Sequence, residues 1–196
     1  MAEQTLTDAE RKVLANIEQL VPPTPTMPGL KCGYEKAIDH LPLPFLPPQF
    51  FEGMYATMKP PVFHYGWHFK RADLAAAAAD HNLLAKRVFA PGYQISATPQ
   101  AAVDMDVHRT LRNIHLHLED KGLNTPQLQY ACVRVDSRIM ISIATNYTGW
   151  LPDVQAVDAL RDLLGREDEP VWDLDYESSG WQKCARNAPR VRYRFE

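Results

Sequence analysis

What this 196-residue chain has little of narrows its possibilities first. It carries three cysteines, Cys32, Cys132 and Cys184, an odd number with no CxxC spacing among them. That argues against a disulfide framework and against a cysteine-built zinc knuckle. No run approaches the ~20 apolar residues of a membrane span. The opening MAEQTLTDAERK has no apolar core of a secretory signal. From these absences we expect a soluble protein of a reducing intracellular compartment, cytoplasmic or nuclear, with no membrane partner. Charge of one sign is scarce too: 21 Lys and Arg stand against 24 Asp and Glu, a formal net charge of −3. Nothing in that balance attracts a phosphate backbone, so nucleic acid is not an expected partner unless a local basic patch recruits it. Neither GxSxG, P-loop nor GxGxxG occurs, and no cofactor can be named.

Proline is what the chain has in quantity. Ten of its sixteen prolines fall between positions 22 and 61, within VPPTPTMP, LPLPFLPP and the pair Pro60-Pro61. Such a segment cannot hold long helices and reads as an extended arm. It also carries Leu41, Leu43, Phe45, Leu46, Phe50 and Phe51, so the arm is expected to lie packed on the core rather than in solvent. Pro44 to Pro47 fits the bare PxxP pattern of an SH3 ligand, but the apolar residues within it favour packing. Residues 1–196 are expected to form one domain, with 22–61 as the packed arm.

Local patterns set the fold class. Thr7 with Glu10 makes a capping box ahead of a helix that ends at Pro22. A second helix is predicted over about 73–88, and the longest from Thr98 and Pro99 to Gly122. LQYACVRV and RIMISIAT read as two strands of a hairpin joined at Asp136-Ser137. A further helix over about 153–164 stops at Gly165, and VWDLDYE and PRVRYRFE alternate as strands. The expectation is an α+β fold: an antiparallel sheet of about four or five strands with helices on one face, preceded by a helix and the proline-rich arm.

One stretch looks most like chemistry, VFHYGWHFKR at 62–71. Gly66 and the preceding prolines disfavour a helix. As a strand it places Phe63, Tyr65, Trp67 and Phe69 on one face and His64, Gly66 and His68 on the other. The histidines would then stand about 13 Å apart at ~3.3 Å per residue, too far to share a metal ion. The rings are expected to face the core.

A second candidate lies on the long helix. Beside its apolar stripe run Asp104, His108, His115 and Glu119, which fall within one sector of a helix. Carboxylates and imidazoles on one face are the raw material of a metal site or an oriented general base. Further ligands would have to come from elsewhere, with His81 or the histidines His64 and His68 as the available donors, while His117 points to another face. In the tail, Arg190, Arg192 and Arg194 alternate with apolar residues, as do Asp173, Asp175 and Glu177. An antiparallel pairing of 171–177 with 190–196 would set the arginines against the carboxylates. The long connection between them holds Trp181, Lys183 and Arg186, a candidate recognition loop.

These patterns lead to an expected binding domain that recognises a protein or a small molecule. The alternative is a metal-assisted hydrolase using Asp104, His108, His115 and Glu119.

Overall fold

The computed structural model of the chain describes residues 41–46, 50–51, 58–87, 105–124, 127–133, 139–148 and 151–183. In chain order these form strand β1 (Met58–Lys59), strand β2 (Phe63–Phe69), helix α1 (Arg71–Asp80) and helix α2 (Val107–Asp120). Strands β3 (Gln129–Cys132) and β4 (Ile139–Thr145) follow, then helix α3 (Val154–Leu163), β5 (Val171–Leu174) and β6 (Gln182–Lys183). Four strands make an antiparallel sheet in the order β3-β4-β2-β5, and β1 pairs with β6 in a separate two-stranded ribbon. The protein is an α+β fold. The predicted helix at 7–21, the hairpin residues Asp136 and Ser137, and the strand at 190–196 lie outside the described residues.

All three helices stop by the same device. Asn82, Gly122 and Gly165 take positive φ just past the last turn. The next residue's N–H then reaches back five positions: Leu83 to Ala78 O, Leu123 to Leu118 O, and Arg166 to Arg161 O. This is the Schellman ending, which needs a residue that tolerates the left-handed region. Two of these stops fall at the glycines that the sequence marks. The third shortens the helix predicted to reach residue 88, because Asn82 supplies the left-handed turn in place of glycine. The start of α2 also differs from expectation. Met105 is extended, bridges Lys86 and is buried, so the helix cannot run through it. Asp106 then caps it by accepting from the Arg109 N–H at 3.1 Å.

The helices share one face of the sheet. Trp67 and Phe69 of β2 and Ile141 and Ile143 of β4 pack with Leu74 and Ala78 of α1, Leu111, Ile114 and Leu118 of α2, and Leu160 and Leu163 of α3. A second apolar cluster continues along the sheet. There Leu43, Leu46 and Phe50 from the proline-rich region cover Phe63, Trp172 and Leu174. Asn146, at the end of β4, fastens this region: its Nδ2 donates to Phe50 O and Pro61 O, and its Oδ1 accepts from Phe63 N–H.

The other face closes on itself. Val133, one residue past β3, bridges Asp175, one residue past β5, and Tyr176 N–H donates to Cys132 O at 2.9 Å. The two edges of the sheet therefore meet at one end, and the sheet curls around the face bearing His64. Ala131, Val133 and Met140 fill part of that interior, with Val171 against them.

Candidate functional site

Within this curl the chemistry-bearing side chains of β2 and β5 come together. β2 has the alternation read from the sequence: Phe63, Trp67 and Phe69 are buried, Tyr65 is half-buried, and the histidines turn to the opposite side. The register with β4 shifts between Tyr65 and Gly66, a bulge that lets the strands bend. Gly66 sits where the backbones crowd: a Cβ there would meet Ile141 O at 1.9 Å. The close approach tightens the curl around His64 and His68.

Each histidine meets a carboxylate of β5 or its end. His68 Nε2 lies 2.7 Å from Asp173 Oδ2, and Asp173 is fully buried, its other oxygen accepting the Leu174 N–H at 2.6 Å. His64, 7% exposed, lies 3.0 Å through Nε2 from Asp175 Oδ2. His64–Asp175 is a diagonal cross-strand pair, since His64 stands opposite Asp173 in the ladder and reaches two residues further, whereas His68 reaches Asp173 from beyond the end of that ladder at Gly66 and Val171. Asp175 Oδ1 accepts the N–H groups of Glu177 and Ser178 at 2.9 and 2.6 Å. Burial pushes the Asp175 carboxyl up, but hydrogen bonds from His64 and the Ser178 and Glu177 N–H groups, together with the His64 charge, outweigh it. The net result is a carboxyl held below the ordinary range.

His64 has a third partner. Its Nδ1 lies 3.1 Å from Ser142 Oγ, so Ser142, His64 and Asp175 form a linear serine–imidazole–carboxylate array. The roles within it differ from those of a nucleophilic triad. Ser142 is 1% exposed and donates its hydroxyl proton to Ala144 O at 2.9 Å. With that proton directed to Ala144 O, Oγ presents a lone pair to Nδ1 while Nε2 faces the carboxylate. The ring is then a clamp between β2, β4 and the end of β5, and an inward-turned serine has no substrate side.

Of the tail pairing expected from the sequence, strand 171–174 is described and 190–196 lies outside the described residues. β5 bonds β2 on one edge, and on its other edge Trp172 exchanges both backbone hydrogen bonds with Leu43 at 2.8 Å. The proline-rich region occupies, at Trp172, the edge assigned to 190–196. Among the described residues, Asp173 and Asp175 meet His68 and His64. A buried carboxylate needs a donor held in place by the sheet, and β2, the neighbour of β5, carries both histidines.

The helix stripe is spread out. His115 pairs with Glu119 one turn on at 3.5 Å, and His108 packs edge-on against Tyr130 with ring centroids 5.9 Å apart. Asp104 lies outside the described residues. Among the described residues no three His, Cys, Asp or Glu side chains are grouped to hold a metal ion. The candidate recognition loop is partly described. Trp181 is half-buried and packs on Phe50 with centroids 5.9 Å apart, and β6 sets Lys183 opposite Met58 and Gln182 opposite Lys59. Arg186 lies outside the described residues.

Sequence reasoning missed Ser142 and Asn146 altogether. Both sit in or beside an apolar strand where a single polar residue stands out, and a buried polar residue in such a run must find partners across the sheet. No helix among the described residues is long and apolar enough to cross a membrane. Compared with family models, with curated proteins and with solved structures, the chain finds no match in any of the three.

Proposed function

We propose that the protein acts by binding a partner, a protein or a small molecule, through the surface where residues 181–183 meet Phe50, Met58 and Lys59. One observation carries this reading. Two segments some 130 positions apart in sequence, each a candidate contact surface by composition, are joined at one place by the Phe50–Trp181 contact and the β1–β6 pairing. Phe51 and Trp181 remain half-buried there and Gln182 is exposed, so aromatic and polar groups share one surface, a combination suited to recognition. The groups that could perform chemistry point the other way. His64 joins Ser142 and Asp175, and His68 joins Asp173, inside the curled sheet.

The test is comparative capture from extracts of the source cells. Wild type is set beside Gln182→Glu/Lys183→Glu and beside Asp120→Lys, a surface change on α2. The proposal expects one stoichiometric partner with wild type and Asp120→Lys that is lost with the double variant, all three melting at similar temperatures. Equal capture by all three, or no stoichiometric partner, would refute this surface. The hydrolase alternative has a separate signature: bound metal at unit stoichiometry, and hydrolysis abolished by Glu119→Gln.

A further inference from the structure

His81 and His117 stand apart from the interior network and from the α2 stripe. His81 follows α1 directly, and His117 lies in the last turn of α2. Their ring centroids are 6.4 Å apart, with the planes at 40°. Nε2 of His117 is buried and has no hydrogen-bond partner. A buried imidazole nitrogen without a partner is destabilising, so it calls for an explanation of its own.

The scaffold fixes the backbone around both residues. Asn82 in the left-handed region turns the chain so that Leu83 N–H bonds Ala78 O. Asn113, one turn before His117, donates through Nδ2 to Leu83 O at 3.0 Å and ties the loop to α2. Ala78, Ile114 and Leu118 share one core beneath. His81 itself is exposed and can adjust its rotamer without disturbing that core.

We propose that His81 and His117 form a two-imidazole site for a first-row divalent transition ion of the zinc, nickel and copper class, with water in the remaining positions. Direct N–H···N bonding needs about 3 Å between nitrogens. Two metal–nitrogen bonds of about 2.0–2.1 Å each hold imidazole rings roughly 5–6 Å between centroids, which a small turn of His81 reaches from the observed spacing. Imidazole is the ligand this class of ion prefers over the hard cations. Asp80 beside His81 and Asp120 one turn beyond His117 are both exposed and supply a negative field at the mouth of the site. The ion would clip the end of α1 to α2, and its binding would weaken in acid as protons compete for the imidazoles.

The experiment is calorimetric titration of Zn(II), and separately Ni(II), into the full chain after EDTA treatment. The expected result is one saturable equivalent that raises the melting temperature. Affinity should fall by about tenfold or more in His81→Gln, which keeps the wild-type melting temperature without metal. It should stay unchanged in His108→Gln/His115→Gln. Absence of saturable binding, or undiminished affinity in His81→Gln, would overturn the proposal. So would loss of binding in the His108/His115 variant alone, which would place the ion on the α2 stripe.

Discussion

His64 Nε2 lies 3.0 Å from Asp175 Oδ2, and this pair joins the middle strand of the sheet to the point where the two sheet edges meet. Asp175 is a junction. Its N–H donates to Val62 O, it bridges Val133, and its second oxygen caps the turn into residues 177 and 178. The polar interior of the curl is therefore a structural fastening, and removing its charges should show in stability.

Asp175→Asn tests this directly. The variant keeps the shape of the side chain and loses the charge-assisted bond to His64, so it should lose about 1.5–3 kcal/mol near neutral pH. The pH dependence has a definite sign. A carboxyl held below its ordinary range contributes stability that is fully present above its unfolded pKa, about 3.9, and is lost as pH falls through the lower folded value. The gap between wild type and Asp175→Asn should therefore be widest at neutral pH and shrink below about pH 4. Urea titrations from pH 3 to 7 measure it, and a gap independent of pH would contradict the assignment.

Ser142→Ala separates a clamp from a nucleophile. As a clamp, Ser142 accepts from His64 and donates to Ala144 O, so alanine leaves two buried groups unpaired. A loss of roughly 1–3 kcal/mol is expected, with no change in turnover of activated esters beyond background. Ester turnover abolished by the substitution at unchanged stability would restore the catalytic array.

Gly66→Ala should be among the most damaging single changes in the chain. The added Cβ meets backbone rather than a movable side chain, with Ile141 O at 1.9 Å. The β2–β4 bulge would have to open, and a loss above about 4 kcal/mol, or failure to fold, is expected. Wild-type melting behaviour would show that the strands do not approach as described.

Much of this fold was legible because local rules and tertiary structure agree. The period of two across 63–69 and the glycine stops at 122 and 165 follow from side-chain geometry. What was not legible depended on pairing at long range. The carboxylates at 173 and 175 and the histidines at 64 and 68 were each placed on a strand face by alternation. Their meeting required the order β4-β2-β5, which no local signal encodes. The arginines of the tail offered a complete alternative, and the Leu43–Trp172 exchange, some 129 positions apart, takes that edge instead. The start of α2 was misplaced for a similar reason: the Lys86–Met105 bridge overrides a favourable Thr-Pro start.

Asn146 offers the sharpest test of how the proline-rich region is held. It is 1% exposed, and its side chain makes three hydrogen bonds, two donated to Phe50 O and Pro61 O and one accepted from Phe63 N–H. Alanine leaves three buried backbone groups without these partners, and each carries a desolvation cost of about 1–3 kcal/mol, partly relieved by entering water. We expect Asn146→Ala to lose at least roughly 3 kcal/mol. Asn146→Asp keeps the acceptor for Phe63 and sets a carboxylate against two carbonyl oxygens, so it should be worse. Because the same bracket positions Phe50 under Trp181, the backbone amides of Leu43 and Phe63 should exchange faster with deuterium in both variants. Amides of the α2 core, such as Ile114, should change only through the global loss of stability. Uniform acceleration across all three sites would mean that Asn146 stabilises the whole domain without anchoring this region. Selective acceleration at Leu43 and Phe63 would tie the recognition surface to a single buried amide.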